Sequence, residues 1–467
     1  MLNNPFATTK RMYPLRPHPI QQSLWTTGCR FATVPAGRRS GKTELAKRKI
    51  VRESYKSLVR PHKVWDTRYY FAAAPVRDQA KRIYWNDLKS MFPPKLMEKR
   101  PSESDLKIYL KWKNQRVEVH VIGMDKPERI EGSPWDGGVL DEYANMKPQA
   151  WGANVRPALS DRRGWCWLIG VPEGRNHYYE MDLKARADTT GIWGSFHWKS
   201  VDILPVEEIE MAKQDLDPLT FQQEYEADFV HFSGRAYYSF QDRYNCSKNL
   251  RYDPREPLIF CFDFNIAPGV AVVCQEQYLP GQYEWRAPEG SKVLQKYPVF
   301  GTGVIGQVNI PRNSNTPAVV RRLLKDWGNH QGMVYVYGDA TGGAGGTAKV
   351  TGSDWEIIKQ MLHAKFSDSL RIKVGTSNPA ERARVNAVNS RCRSQSGVVR
   401  LMVDPHKCPD VVKDFEGVRV LEGGAGELDK KSDQTLTHWT DALGYYVEAE
   451  FPVRNRVIYD IELLNRY

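Results

Sequence analysis

Phe31-Ala32-Thr33-Val34-Pro35-Ala36-Gly37-Arg38-Arg39-Ser40-Gly41-Lys42-Thr43 is the stretch that decides how the first half of the chain folds. Phe31 to Val34 reads as a short strand, Ala36 to Thr43 as a Gly-rich turn and Glu44 to Leu58 as a helix. That is the setting a phosphate-binding P-loop requires. Ala36 stands where the consensus has its first glycine, so seven of the eight positions match. The working parts are present. Gly37, Arg38, Arg39, Ser40 and Gly41 bring backbone N–H groups to a helix N-terminus for phosphate oxygens, Lys42 suits the β/γ phosphates, and the Thr43 hydroxyl suits Mg²⁺. A basic turn that happens to contain Gly-Lys-Thr is the bland alternative. A second acidic site supports the P-loop: Gly138-Val139-Leu140 leads into Asp141, placed to hold hydrated Mg²⁺, and Glu142, placed to orient and deprotonate an attacking water.

Outward from that turn, further strand candidates are Tyr69 to Ala74, Val117 to Ile122, Gly138 to Leu140 and Trp165 to Ile169. Strands alternating with helical segments imply an α/β unit with a mostly parallel sheet. A helical pattern ends near Phe221 to Phe229, and the run from Ser233 to Pro257 is polar, aromatic and turn-rich. The domain organisation expected is therefore 1–232, a linker 233–256, and 257–467. The second unit opens with Leu258 to Asp263, continues through Gly269 to Cys274 as a hairpin, has a later strand Met333 to Tyr337, and closes with a helix over Thr437 to Glu448. It reads as a mixed sheet with flanking helices.

Asp263 and Asp339 each end an apolar strand of that unit, and Asp441 lies on its closing helix beside the small residues Ala442 and Gly444. Convergence of the three would suit a pair of Mg²⁺ or Mn²⁺ ions roughly 3.5–4 Å apart, the arrangement for in-line phosphodiester hydrolysis. Each aspartate taken alone also suits a turn or cap. Between them, Arg371 to Arg400 carries seven Lys/Arg against Glu381 alone, with a helix expected over Glu381 to Arg393. Its arginines would form either a phosphate-backbone track or a solvated helical face. Arg38 to Lys63 is similarly basic, with ten Lys/Arg against Glu44 and Glu53.

Composition agrees with a two-domain globular protein. The chain has 467 residues, more than one hydrophobic core usually spans, and 41% of them are hydrophobic. Lys and Arg outnumber Asp and Glu by 67 to 55, a balance of +12 that suits a polyanionic partner. The seven cysteines form no C-x-x-C pair, which favours reduced, buried thiols. No internal repeat is visible. No run reaches the about 18 apolar residues of a membrane span, and residues 1–20 lack the apolar core of a signal peptide, so a soluble intracellular protein is expected.

A P-loop ATPase followed by a three-aspartate nuclease resembles the large terminase subunit of tailed bacteriophages, the motor that packages and cuts viral DNA, over essentially the whole chain. Pro17-His18-Pro19-Ile20-Gln21 resembles that family's adenine-contacting segment, making Gln21 the adenine ligand. Gly37-Arg38 ahead of Ser40-Gly41-Lys42, Asp141-Glu142 followed by a short helix, Asp339-Ala340-Thr341-Gly342, and His438 to Tyr445 match its other motifs. The resemblance implies a ribonuclease-H-like nuclease domain, with Asp263, Asp339 and Asp441 as metal ligands and catalytic groups. It implies ATP and Mg²⁺ as cofactors, with Mn²⁺ able to substitute in the nuclease site. The partners implied are double-stranded DNA, a terminase small subunit, a portal protein and further copies in a ring on the procapsid, in the host cytoplasm and outside the mature virion, with no membrane.

Three positions depart from that family's pattern. Gly170-Val171-Pro172-Glu173-Gly174 lacks the coupling hydroxyl, leaving Arg175 or Asn176 to replace it. The position of the inter-subunit arginine is Glu131, so Arg129 is the nearest trans finger, while Arg38 acts in cis. Ile305-Gly306-Gln307-Val308 stands where a second-strand carboxylate is often found. A helicase-like repair ATPase fused to a nuclease is the competing reading, but it needs further helicase motifs and a second motor domain that the sequence does not show. A scaffold with decayed sites is disfavoured, because Lys42, Thr43, Asp141, Glu142 and the three nuclease aspartates are all present.

Overall fold

The computed structural model describes residues 9–15, 18–60, 62, 64–230, 234–263, 269–288, 293–310, 315–340, 354–421, 427–433 and 435–453. The chain divides into two compact units, one of Met1–Ile209 with Gln222–His231 and one of Glu210–Phe221 with Phe232–Tyr467. Among the described residues no helix is long and apolar enough to cross a membrane. None of the seven cysteines is in a disulfide, and Cys166, Cys261, Cys274, Cys392 and Cys408 are buried.

The first unit is built on seven strands: β1 (Phe31–Pro35), β2 (Thr67–Ala74), β3 (Lys107–Trp112), β4 (Gln115–Gly123), β5 (Gly137–Asp141), β6 (Trp165–Gly170) and β7 (Trp193–Ser195). Their order is β3-β4-β2-β5-β6-β1-β7. Only the β3–β4 pair is antiparallel. Both faces are covered, which is why the strands read as apolar runs. Val34, Tyr70, Ala72, Val119 and Val139 pack with Leu45, Ile50 and Val51 of helix α2 (Lys42–Val59). Phe71, Ala73, Leu140 and Leu168 pack on the other face with Tyr143, Trp151 and Tyr178. The five expected strands are all present. β3 was missed, although Ile108 and Leu110 alternate with more exposed neighbours as a strand of period two should.

The second unit contains β8 (Leu258–Asp263), β9 (Gly269–Arg286), β10 (Gln295–Ile310), β11 (Val334–Gly338), β12 (Leu370–Ile372) and β13 (Leu401–Val403). They form one sheet in the order β12-β11-β8-β9-β10-β13. β9 runs antiparallel to both β8 and β10, whereas β11 joins β8, β12 joins β11 and β13 joins β10 in parallel. Two helices, Thr316–Trp327 and Asp354–Phe366, contribute Val320, Leu323, Ile358 and Leu362 to a core with Phe260, Val273, Ile305 and Val336. The closing helix, His438–Glu450, packs against β8, β9 and β11 and against the helix Glu381–Cys392. Both units are α/β, one mostly parallel and one mixed, as expected. The strand carrying Ile305 to Val308 is the third of this unit in chain order, not the second.

Three cations of the basic stretch 371–400 are paired inside the fold and serve neither as a phosphate track nor as a solvated face. Arg384 and Arg391 are buried. Arg391 Nη2 donates to Glu276 Oε2 at 3.0 Å and to Thr302 Oγ1 at 2.7 Å, and its guanidinium lies 3.6 Å from the Phe451 ring centroid. Arg384 pairs with Asp441 at 3.2 Å, and Arg400 with Glu284 at 2.8 Å. The physical reason is that the helix Glu381–Cys392 is packed against the closing helix, so its arginines meet carboxylates inside the fold. In the first basic stretch, Lys47 likewise pairs with Asp87 at 2.5 Å and Arg48 with Glu44 at 2.9 Å.

Removing one partner of a buried ion pair leaves an uncompensated charge, at a cost of about 3–5 kcal/mol. Arg391→Ala should therefore destabilise the protein toward the lower end of that range in urea unfolding, because Glu276 loses its cation and keeps only the Tyr446 and Thr302 hydroxyls as donors. Wild-type stability in this variant would return Arg391 to the role of a surface cation.

Candidate active sites

β1 lies two strands from β5, with β6 between them. The turn after β1 and the end of β5 thus reach the same edge of the sheet. Ala36 is still extended: its N–H donates to Gly170 O at 3.1 Å and it bridges Trp198 in parallel, so this position needs no glycine. Gly37 does need to be glycine, since a Cβ there would lie 2.3 Å from Ser200 Oγ and 2.6 Å from Ser200 N. Arg38 N donates to Glu224 O at 2.7 Å, and the Arg38 side chain pairs with the Glu224 carboxylate at 3.2 Å. Arg39 has a φ of 55°, Ser40 Oγ donates to Gly37 O at 2.5 Å, and Gly41, at φ 84°, caps α2. The first N–H groups of α2 have no partner within the helix, and the helix dipole there favours an anion. Gln21 Nε2, from the helix Pro19–Thr26, donates to Ser40 O at 2.9 Å; Pro17, quoted with it above, lies outside the described residues.

Thr43 Oγ1 donates to Asp141 Oδ2 at 3.0 Å. The same oxygen accepts from Tyr84 OH at 2.8 Å, and Asp141 Oδ1 accepts from Glu142 N at 2.9 Å. Both Thr43 and Asp141 offer hard oxygen atoms, a donor set that fits Mg²⁺. Lys42 is buried, with Nζ 3.5 Å from Gly37 O. Glu142 sits in the left-handed region at φ 54°, ψ 44°. Burial pushes its carboxyl up to about 7, against the pull of the Lys42 charge and with the charge of Asp141 adding to the rise.

The segment after β6 is wired to the loop that follows Glu142. Asn176 Oδ1 accepts from Tyr178 N at 2.9 Å, capping the helix His177–Arg186, while its Nδ2 donates to Ala144 O at 3.0 Å. His177 Nε2 donates to Tyr143 O at 3.1 Å, Asn145 Nδ2 to Glu173 Oε1 at 3.2 Å, and Gly174 N to Gln223 Oε1 at 3.2 Å. Arg175 instead lies over the Tyr179 ring. Gln21, residues 37–43, Asp141 and Glu142 are thus brought together. Arg129 has no recorded bond to them: it is exposed on the turn Pro127–Ile130 and pairs with Asp125 at 3.2 Å. Sequence reasoning missed Tyr84, Gln223, Glu224 and His177, whose partners lie far along the chain.

In the second unit the register Gly338↔Phe262 puts Asp339 and Asp263 at the ends of adjacent parallel strands. Asp263 Oδ2 accepts from His438 Nδ1 at 3.3 Å, and Asp339 Oδ1 accepts from Asn378 Nδ2 at 2.6 Å. Asp441 pairs with Arg384 at 3.2 Å and with Lys430 at 2.8 Å. Burial raises its carboxyl, those two cations oppose the rise, and the charge of Asp263 adds to it. Burial also raises the Tyr445 phenol; Arg384 opposes this, while the charges of Asp339, Asp263 and Asp441 all add to it. The all-oxygen donor set has the right chemistry for Mg²⁺ or Mn²⁺. Among the described residues no three His, Cys, Asp or Glu side chains are placed to hold one ion. Both oxygens of Asp441 are taken by internal cations. Thr341 and Gly342, quoted above with Asp339, lie outside the described residues. Asp414, which sequence reasoning missed, caps the closing helix by accepting from Trp439 N at 2.9 Å and Thr440 N at 3.2 Å.

A carboxyl held above its ordinary value favours the protonated fold. Its contribution is complete below the ordinary value of 4.5 and is lost as pH rises toward 7. Nucleotide-free Glu142→Gln should therefore be more stable than wild type at pH 8, by about 3 kcal/mol at most, with the difference vanishing near pH 4.5. Thermal unfolding at the two pH values checks this, and a difference independent of pH would mean that Glu142 titrates normally.

No family model matches the sequence. The chain is 28% identical over 258 residues to the terminase large subunit of Thermus phage G20c, covering 48% of this chain and 50% of that protein. It is 28% identical over 127 residues to that of Escherichia phage T5, covering 26% of this chain and 29% of that protein. The chain thus spans about half the length of the G20c relative, and less of the T5 one. In fold it matches the large terminase of a thermophilic bacteriophage, solved in complex with ATP-γ-S, at a TM-score of 0.60 and 14% identity, covering 92% of this chain and 98% of that one. Another crystal form of the same phage protein gives 0.59 at 14% identity, with 95% and 98% covered. In sequence over about half its length, and in fold over nearly all of it, this chain resembles the large subunits of phage terminases.

Proposed function

We propose that this chain is a terminase large subunit that drives double-stranded viral DNA into a procapsid by hydrolysing ATP and cuts concatemeric DNA at the start and end of packaging. The observation that carries the first half is the Lys42, Thr43, Asp141 and Glu142 cluster, closed by the Thr43–Asp141 hydrogen bond of 3.0 Å. In this reading Gln21 contacts the adenine, and Lys42 with the N–H groups that open α2 holds the phosphates. Thr43 and Asp141 hold Mg²⁺, which when bound neutralises phosphate charge and polarises the transferring group. Glu142, raised to about 7, suits a general base near neutral pH. Arg38 serves in cis once it releases Glu224, and Arg129 serves a neighbouring copy in a ring. Partners are DNA, a terminase small subunit and a portal protein, met in the host cytoplasm on the procapsid.

For the second half, Asp263, Asp339 and Asp441 form the nuclease centre of a ribonuclease-H-like domain that depends on Mg²⁺ or Mn²⁺. The adjacent ends of β8 and β11 support this. Asp441 has to exchange Lys430 for a divalent ion.

Lys42→Ala and Glu142→Gln should each remove ATP turnover, by about 10²-fold or more for the base. They should differ in binding: Lys42→Ala loses nucleotide affinity, while the isosteric Glu142→Gln keeps it. Mixing Arg129→Ala with Glu142→Gln subunits should restore part of the turnover in the same assay. Near-normal hydrolysis by Glu142→Gln would remove that residue from the mechanism, and mixtures no better than their parts would remove Arg129.

Asp263→Asn should bring nicking and linearisation of supercoiled plasmid to background and leave ATP turnover intact. A chelator should stop wild-type cleavage. Full cleavage by Asp263→Asn, or parallel loss of both activities, would make the carboxylates structural.

A further inference from the structure

Asp141 Oδ2 has a second donor that the P-loop does not supply. Tyr84 OH donates to it at 2.8 Å, alongside Thr43 Oγ1 at 3.0 Å. Tyr84 is fully buried, so this hydrogen bond is shielded from water. It stands on a π-helical turn, Lys81–Trp85, set between the α-helical turns Arg77–Ala80 and Asn86–Met91. Such turns are rare and occur frequently at functional sites, because the extra residue re-aims one side chain.

The turn is anchored immediately beyond Tyr84. Trp85 Nε1 donates to Glu103 at 2.6 Å, and Asp87 is held by Lys47 at 2.5 Å and Arg11 at 2.8 Å. Lys47 belongs to α2, the helix that opens at the P-loop, and its Nζ lies 5.8 Å from the Tyr84 ring centroid. The turn that carries the phenol is therefore tied to Glu103 and, through Lys47, to α2.

We infer that Tyr84 is a positioning residue for the nucleotide-bound divalent cation, holding the Asp141 carboxylate in the orientation that receives it. The inference rests on the nucleotide reading proposed above. When Thr43 turns to the cation, Tyr84 remains the donor that fixes Oδ2, and Glu142 N remains the donor that fixes Oδ1.

The test measures binding of a fluorescent ATP analogue with Mg²⁺ and with a chelator, in wild type, Tyr84→Phe and Tyr70→Phe. Tyr70 is a second buried tyrosine of the same unit, on β2, whose hydroxyl meets Ser57 Oγ at 2.7 Å. Tyr84→Phe keeps the ring and removes only the donor. Losing a hydrogen bond to a charged group should cut the tightening that Mg²⁺ brings about tenfold. Chelator-bound affinity should stay unchanged, and melting of the free protein checks that the variant is folded. Tyr70→Phe should keep the full Mg²⁺ effect. A folded Tyr84→Phe with the wild-type ratio of affinities would overturn the inference, as would an equal loss in Tyr70→Phe. Wild type that binds the analogue no better with Mg²⁺, or no better than Lys42→Ala, would instead overturn the nucleotide reading.

Discussion

The hydrogen bond between Thr43 and Asp141 joins two groups that belong to α2 and to the end of β5, and the first unit is arranged so that it can form. β1 and β5 must stop at the same edge of the sheet with β6 between them, and the parallel registers of β6 with both neighbours enforce this. One consequence is that the segment leaving β6 runs between the P-loop and the Asp141–Glu142 loop. Its side chains touch the latter: Asn176 and His177 hold the carbonyls of Ala144 and Tyr143. That segment thus turns an amide and an imidazole toward the backbone of the loop after Glu142.

Charge is the second organising constraint. The chain carries +12, yet several of its most basic stretches are spent internally. Arg384, Arg391 and Arg400 meet Asp441, Glu276 and Glu284, and Lys47 and Arg48 meet Asp87 and Glu44. A guanidinium can pack its planar face on an aromatic ring while its fork meets a carboxylate, so it can be buried without being stranded. Arg391 over Phe451 and Arg384 over Tyr445 both do so. A surface for a polyanion must therefore be drawn from cations other than these five.

The same economy shapes the second unit. Asp263 and Asp339 close adjacent strand ends, and Asp441 comes from the helix packed across them. Each of these carboxylates has a neutral or positive partner: His438 for Asp263, Asn378 for Asp339, and Arg384 with Lys430 for Asp441. Asp414 in turn fixes the start of the helix that carries Asp441.

Local order was legible in the sequence because it is a property of neighbours. Apolar runs gave β1, β2, β4, β5 and β6 and, in the second unit, β8, β9 and β11, and the glycines with Lys42 and Thr43 gave the turn that opens α2. Asp141 and Glu142 could be named because they follow an apolar strand, as could Asp263 and Asp339. Partners were not legible. Tyr84 meets Asp141 across 57 residues, Asn378 meets Asp339 across 39, and His438 meets Asp263 across 175, with nothing in the intervening residues to mark the pairing. Whether Arg384 faced solvent or Asp441 depended on which helix face was covered, and that depends on the packing of the closing helix. The sequence by itself determined which groups could do chemistry and at which strand ends they stand. Tertiary structure decided which charges neutralise one another, because burial and contact arise only when distant segments exclude water together.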